Sequence, residues 1–266
     1  ILFVYLVYMK IFVSCVSQKH GNIRVDISQI NQPTLESTFE LWEGLTTIGG
    51  KPSRNVYKGI QWELIKQLSN LVDVKVISGG YGIIDLDTPI VPYSITLSSA
   101  YIENRHLTLS NFNIPQKEAN KKWFNMFGNF SHYWDTDETL ILTVNPDYLE
   151  VLNIPQKDNI ILLTNYKLGI LAKWLKSGVN NVAVNFALYL AKSHPNLSGN
   201  TELRQIYDDL VLKYGKQLYP KRNKVDDQFI IDWVRSGKTL RYFRDSGYAC
   251  SVQRYNKIKD GVKSGN

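Results

Sequence analysis

Cysteine and histidine are scarce in this chain. Cys15 and Cys250 are the only two cysteines among 266 residues, and they lie far apart. That spacing excludes a disulfide framework and matches no zinc-ligand pattern. Both are read as reduced thiols of a cytoplasmic protein. The four histidines, His20, His106, His132 and His194, never occur in pairs. A metal centre built from His and Cys is therefore not expected, and neither metal nor cofactor is predicted. A long hydrophobic run is missing too. Ile1 to Val13 is apolar apart from Lys10, but the stretch is too short to span a bilayer. It lacks the basic leader and small-residue cleavage site of a secretory signal, so no membrane association is expected. Met9 reads as a start, with Met-Lys-Ile-Phe-Val-Ser-Cys as a first buried strand and residues 1–8 as an upstream extension. Internal repeats and low-complexity segments are also absent.

What is present suits one substantial core and a small appendage, since 44% of the residues are hydrophobic. Short apolar runs at Lys10–Cys15, Val74–Ser78, Thr139–Val144 and Ile160–Thr164 read as strands. Amphipathic stretches at Tyr57–Leu71, Glu118–Phe127, Tyr148–Leu152 and Val182–Ala191 read as helices between them. Continuous Val/Ile/Leu strands alternating with helices predict an α/β fold, a mostly parallel sheet flanked by helices. Pro195–Asn200 reads as a loop, Glu202 to about Tyr214 as a further helix, and Pro220–Lys224 as a linker. The predicted domains are 9–215, an α/β catalytic domain, and 221–266, a small basic helical module.

Charge is concentrated in that module. Lys213 to Asn266 holds 13 Lys and Arg against 5 Asp and Glu, a net +8 in a chain whose total is +7. A basic segment of this kind is the footprint of phosphate contact, or else a solvated tail. Aromatics interleaved with the charges (Trp233, Tyr242, Phe243, Tyr248, Tyr255, with Tyr214 and Tyr219 before them) favour a folded unit. Ser236 to Tyr255 reads as a basic helix, a turn at Gly247 with positive φ, and a second basic helix capped by Ser251. Tyr242 and Phe243 are expected to face a core. Lys238, Arg241, Arg244, Ser251, Gln253 and Arg254 are the candidate contacts of a helix-turn-helix-like element with double-stranded DNA.

In parallel sheets ligands bind at the carboxyl ends of the strands. After the first strand stand Ser14, Cys15, Ser17 and Lys19. After the second comes Ser78-Gly79-Gly80-Tyr81-Gly82, followed by Asp85, Asp87 and Tyr93. The glycines would let backbone approach a ligand, or would simply form a tight strand-to-helix turn. The run is neither a Walker loop nor a dinucleotide fingerprint. Asp85 and Asp87 would present a catalytic carboxylate, or act as turn residues. Asn145 and Asn165 follow the third and fourth strands; each can read a nucleobase edge, though Asn145 before Pro146 is also a common turn pair.

Several of these segments carry a resemblance. Val13-Ser14-Cys15 with Lys19, Tyr57-Lys58-Gly59, Ser78 to Ile84, and Pro92-Tyr93 with Thr96 resemble, in order, the motifs of a bacterial family. Asn180 to Asn185 and Leu240 to Cys250 resemble its C-terminal half. The family is related to uracil-DNA-glycosylase-like and tRNA-guanine-transglycosylase-associated domains. Within it the chain is similar to anti-phage DNA glycosylases that remove α-glucosylated hydroxymethylcytosine from phage DNA. It departs at Gly79, where Ala is commoner, and at Ser94, where a carboxylate often follows Pro-Tyr. His194 to Ser198 faintly echoes a uracil-DNA-glycosylase loop, but it follows a predicted helix instead of a strand.

The resemblance implies an enzyme that flips out a modified cytosine and hydrolyses its N-glycosidic bond, leaving an abasic site as an antiviral defence. Asp87, or failing that Asp85, would stabilise the sugar's positive charge and position water. Lys19, Ser14 and Ser17 would contact phosphate or the leaving base. Tyr81 and Tyr93 would stack on that base and Asn145 or Asn165 would read its edge, with Cys15, Gly79, Gly80 and Asn185 lining the site. A Schiff-base route through Lys19 is open as well, but nothing in the sequence marks its amine as desolvated. Two other functions fit the same residues: a base-exchanging transglycosylase with a covalently attacking carboxylate, and a non-enzymatic nucleotide-sensing regulator.

Overall fold

The computed structural model describes residues 9–30, 32–97, 114–215 and 223–263. His106, Tyr219, residues 1–8 and the linker as far as Arg222 lie outside the described residues. The chain divides after Asp208 into two compact units. That division falls inside the helix Asn200–Leu210, earlier than the linker expected from composition.

The first unit is an α/β fold around a five-stranded sheet. Its strands are β1 (Met9–Ser14), β2 (Asp73–Ser78), β3 (Gly82–Asp85), β4 (Thr139–Leu142) and β5 (Ile160–Leu162), in the order β3-β2-β1-β4-β5. β2, β1, β4 and β5 run parallel to one another, whereas the edge strand β3 is antiparallel to β2. β4 is buried along its whole length and β1 at all but one residue. Such burial on both faces is why these strands read as unbroken apolar runs.

The connecting helices are α1 (Leu35–Thr46), α2 (Ile60–Ser69), α3 (Gln116–Met126), α4 (Pro146–Val151) and α5 (Val182–Ser193), followed by α6 (Asn200–Leu210). α2 packs on α5, and α3 on α1 and α4. α6 starts close to the predicted position, but its last predicted residues, from Val211 to about Tyr214, belong to a π-helical turn, Val211–Gly215. The sequence reading contained no helix at α1. Its entry is fixed by a capping box, in which Thr34 accepts from Ser37 N and Ser37 Oγ from Thr34 N. Its buried stripe is Leu35, Thr38, Phe39, Trp42 and Thr46, the spacing of one helix face.

The glycine run is also different from the strand-to-helix turn anticipated. Ser78 to Gly82 closes a β2–β3 hairpin, and its residues are packed by aromatic side chains. Trp42 Nε1 donates to Gly80 O at 2.9 Å and Trp123 Nε1 to Gly79 O at 2.8 Å. A Cβ on Gly80 would lie 2.8 Å from the Tyr93 ring and 2.9 Å from Trp42. The glycines admit indole and phenol rings in place of a ligand.

The second unit holds α7 (Asp227–Arg235), α8 (Leu240–Asp245), α9 (Val252–Lys263) and a two-residue parallel pair, β6 (Asn223–Lys224) with β7 (Tyr248–Ala249). Ile230, Phe243 and Tyr255 form its core, with Trp233, Leu240, Tyr248 and Ile258 packed against them. Asp226, Thr239 and Ser251 cap the three helices by accepting from Phe229 N, Tyr242 N and Arg254 N. Gly247 has the positive φ expected, 89°. Between α8 and α9, however, the chain passes through β7. Tyr242 does not face the core but is 55% exposed.

Candidate functional site

A cleft of about 920 Å³ opens at the carboxyl ends of β1, β4 and β5. Ser14 to Lys19 line it after β1, Thr143 to Asn145 after β4, and Thr164 with Tyr166 to Gly169 after β5. Tyr93 to Thr96 form another wall. The first residues of α2 and α5 complete it, Ile60 and Gln61 on one side and Val182 and Ala183 on the other. Gly59, before α2, provides no side-chain cap, so the first-turn amides of α2 carry partial positive charge. α5, by contrast, continues directly from a 3₁₀ turn, Val179–Asn181.

Lys19 is the most enclosed charge in the cleft, with 9% exposure. Its backbone bridges to Tyr57, and its Nζ lies 4.2 Å from the centre of the Tyr93 ring and 5.5 Å from that of Tyr57. Nζ also donates to Ser17 O at 3.4 Å. Those two rings are fixed in turn, because Tyr57 and Tyr93 hydroxyls lie 2.7 Å apart. Ser78 Oγ is 2.6 Å from the Tyr93 hydroxyl and accepts from Gly80 N. The hairpin thus holds the floor beneath the lysine.

Tyr148, at the start of α4, places its hydroxyl 3.6 Å from Cys15 Sγ. Burial holds the hydroxyls of Tyr57, Tyr93 and Tyr148 well above the usual tyrosine range, and the neighbouring Cys15 pushes them further. All three remain protonated at neutral pH and can donate hydrogen bonds. Lys58 and Lys167 also line the cleft, both exposed. Among the described lining residues there is no Asp, Glu or His. The charged side chains of the described lining are all lysines.

Of the residues singled out in the sequence, Ser14, Cys15, Ser17, Lys19, Tyr93 and Asn145 meet here. Asn145 is the cap of α4, its side-chain oxygen accepting from Tyr148 N at 3.1 Å. Nδ2 is the donor it can offer a ligand. Tyr93 is fully buried, with Lys19 over one face. It supports the lysine and is not the platform expected for an extruded base.

The remaining candidates lie elsewhere. Because β3 runs antiparallel to β2, it carries the chain back toward the amino ends of β1 and β2. Asp85 stands opposite Lys75 and pairs with it, and Asp87 pairs with Arg54 at 2.7 Å. Both carboxylates are exposed and neither lines the cleft. Their assignment as catalytic groups of this site is corrected accordingly. Gly79 and Gly80 are enclosed by aromatics, while the Tyr81 hydroxyl joins Thr46 O to Val91 N. Asn165 is exposed at the end of a 3₁₀ turn beside the lining, and Asn185 bonds to Ser177 Oγ and Asn181 O.

Lys58, Lys167 and Tyr148 were missed as site residues. Lys58 and Lys167 stood in segments already marked, between Tyr57 and Gly59 and directly after Asn165-Tyr166. The strand-end rule would have found Lys167 had all polar residues after β5 been weighed equally.

In the second unit, two expected DNA contacts are engaged by the chain itself. Arg244 donates twice to Cys250 O, at 3.1 and 2.7 Å. Arg254 binds Asp227 at 2.7 Å and Val225 O at 3.1 Å. These arginines tie helices and loops together, and the Arg254 side chain is nonetheless 40% exposed. Lys238, Arg241, Ser251 and Gln253 are exposed. Lys238 lies over Trp233, 4.7 Å from its ring centre.

No protein family, curated protein or solved structure matches the chain. Among the described residues, no helix is long and apolar enough to cross a membrane, and no group of His, Cys, Asp and Glu could hold a metal ion.

Proposed function

We propose that the 1–208 unit takes a nucleotide of DNA into the cleft and breaks the bond between its base and its sugar. The observation that carries this reading is the pairing of three lysines with the uncapped start of α2 in a cleft whose described lining holds no acid. Phosphates flanking the target nucleotide suit such a cleft. The Tyr148 hydroxyl, Asn145 Nδ2 and the first-turn amides supply donors for a departing base. With no carboxylate in the described lining, the nearest negative charges to the sugar would be the DNA's own phosphates, held by the lysines. The basic second unit would add sequence-independent affinity for the duplex.

The resemblance narrows the substrate to a modified, glucosylated hydroxymethylcytosine of phage DNA, and the setting to antiviral defence in the cytoplasm. Base exchange through an attacking carboxylate fits less well, because the described lining holds none. Incubation of the purified protein with DNA containing this base, followed by mass spectrometry of released small molecules and alkaline cleavage of abasic sites, tests the reading. Free base accompanied by new alkali-labile sites is the expected result. Absence of both with every modified DNA would refute it.

The lack of acids in the described lining also suits a second reading, in which the cleft senses a nucleotide without altering it and the second unit reads an operator. Strong preference for one DNA sequence, with no base released, would favour that alternative.

A further inference from the structure

We infer that Lys19 itself attacks the sugar, so that the reaction passes through a covalent imine joining Nζ to C1′ of the target nucleotide. The inference rests on the glycosylase reading and names the nucleophile of that same cleft. Its support is positional. Lys19 is 9% exposed, whereas Lys58 and Lys167 are exposed. Enclosure shields a bound intermediate from water. The amine is also held in place: its Nζ is 4.2 Å from the Tyr93 ring centre, and that ring is anchored through Ser78 to the hairpin. A fixed nucleophile needs little further ordering to reach an anomeric carbon. Finally, the described lining offers no carboxylate to activate water or to attack instead.

The steps balance with water as the only co-reactant. Neutral Nζ forms a bond to C1′ as the bond from C1′ to the base breaks. The base leaves with that electron pair and takes one proton from the attacking nitrogen. The remaining N–H proton passes to O4′ as the C1′–O4′ bond opens, giving the imine and a free 4′ hydroxyl. Water then adds to the imine, releasing the lysine and the aldehyde form of an abasic site.

Borohydride tests this directly, because it reduces the imine to a stable secondary amine. Wild-type protein is incubated with duplex DNA carrying α-glucosylated hydroxymethylcytosine in the presence of borohydride, and the adduct is digested for peptide mass mapping. The expected result is a covalent protein–DNA adduct at Lys19, with a yield that rises with pH because attack needs the neutral amine. Lys19→Arg keeps a cation over Tyr93 but lacks the amine. It should lose the adduct and slow base release by roughly a hundredfold, with its melting temperature as the control for folding. If Lys19→Arg does not fold, mapping of the wild-type adduct decides the matter alone. Base release with no trapped adduct, or an adduct at another lysine, overturns the inference and leaves the glycosylase reading standing. No base release and no adduct would overturn both.

Discussion

At the amino ends of β1 and β2, Lys10 and Lys75 are matched by Asp73, Asp85 and Glu138, whereas at the carboxyl ends Lys19, Lys58 and Lys167 border a cleft whose described lining has no acid. Lys10 reaches Glu138 at 2.9 Å, and Lys75 reaches Asp73 at 3.4 Å. Burial opposes the charge on Lys75, yet its bonds to Asp85 and Asp73 outweigh that and raise its pKa. The difference teaches which charges serve the fold. Where a cation has its acid within the same sheet edge, the pair neutralises itself and little field remains for a ligand. Where lysines border a cavity whose described lining holds no acid, more of their field can reach the cavity. One reversal of chain direction, at the β2–β3 hairpin, decides on which side Asp85 falls.

The largest expected effect comes from disturbing that reversal. Gly82 has φ 71°, and an added Cβ would lie 2.7 Å from both Phe127 Cβ and Phe130 Cζ. Gly82→Ala combines a left-handed backbone with a clash against an atom close to the main chain of α3's end. Stability should fall by roughly 3 kcal/mol, measured by denaturant unfolding. A loss below about 0.5 kcal/mol would mean that the hairpin is not the packed element described, and the contrast between the two sheet ends would lose its structural basis.

Much of the frame could be read from the sequence because the physics there is local. Continuous runs such as Ile160–Leu162 have no polar face, and only strands buried on both sides look like that. The rule that ligands gather at strand carboxyl ends brought Ser14, Lys19 and Asn145 to one cleft. What the sequence hid was long-range. Gly79-Gly80-Tyr81-Gly82 offers the same residues to a ligand loop and to a hairpin. The choice between them is made by Trp42 and Trp123, from helices far away in the chain. The carboxylates were misplaced for that one reason. Arg244 looked like a DNA contact because its partner, Cys250 O, is a backbone atom with no signature in the sequence.

A smaller effect sharpens the other side of the comparison. Replacing Lys58 and Lys167 by Gln should weaken DNA binding about tenfold and lower the salt slope by about 2. Thermal stability should be unchanged, since neither residue makes an ion pair among the described residues. An unchanged salt slope would show that phosphates do not enter the cleft.

Alkaline pH probes the buried floor itself. Tyr57, Tyr93 and Tyr148 keep their protons above the ordinary tyrosine value of 10.0. Above that value the unfolded chain releases protons that the folded chain retains, so stability declines as pH rises. Below it this contribution is constant. Melting temperatures recorded between about pH 8 and about pH 11 should turn downward near the upper end, by the equivalent of about 1 kcal/mol or more. Tyr93→Phe, which removes one titrating hydroxyl, should soften the turn. A profile identical to wild type would place the alkaline loss elsewhere.

The smallest effect is the most discriminating. Asp85 and Asp87 were the carboxylates that residue order alone nominated for catalysis, yet each is exposed and paired with Lys75 or Arg54. Exposed pairs of this kind contribute about 0 to 1 kcal/mol. Asp87→Ala and Asp85→Asn should therefore each leave base release within about twofold of wild type, and stability within about 1 kcal/mol. Abolished release from either variant, with folding intact, would mean that the reacting sugar lies at the amino ends of the strands. The lysine-lined cleft would then be a phosphate-gripping surface beside the true site, and Lys19 would have no bond to make.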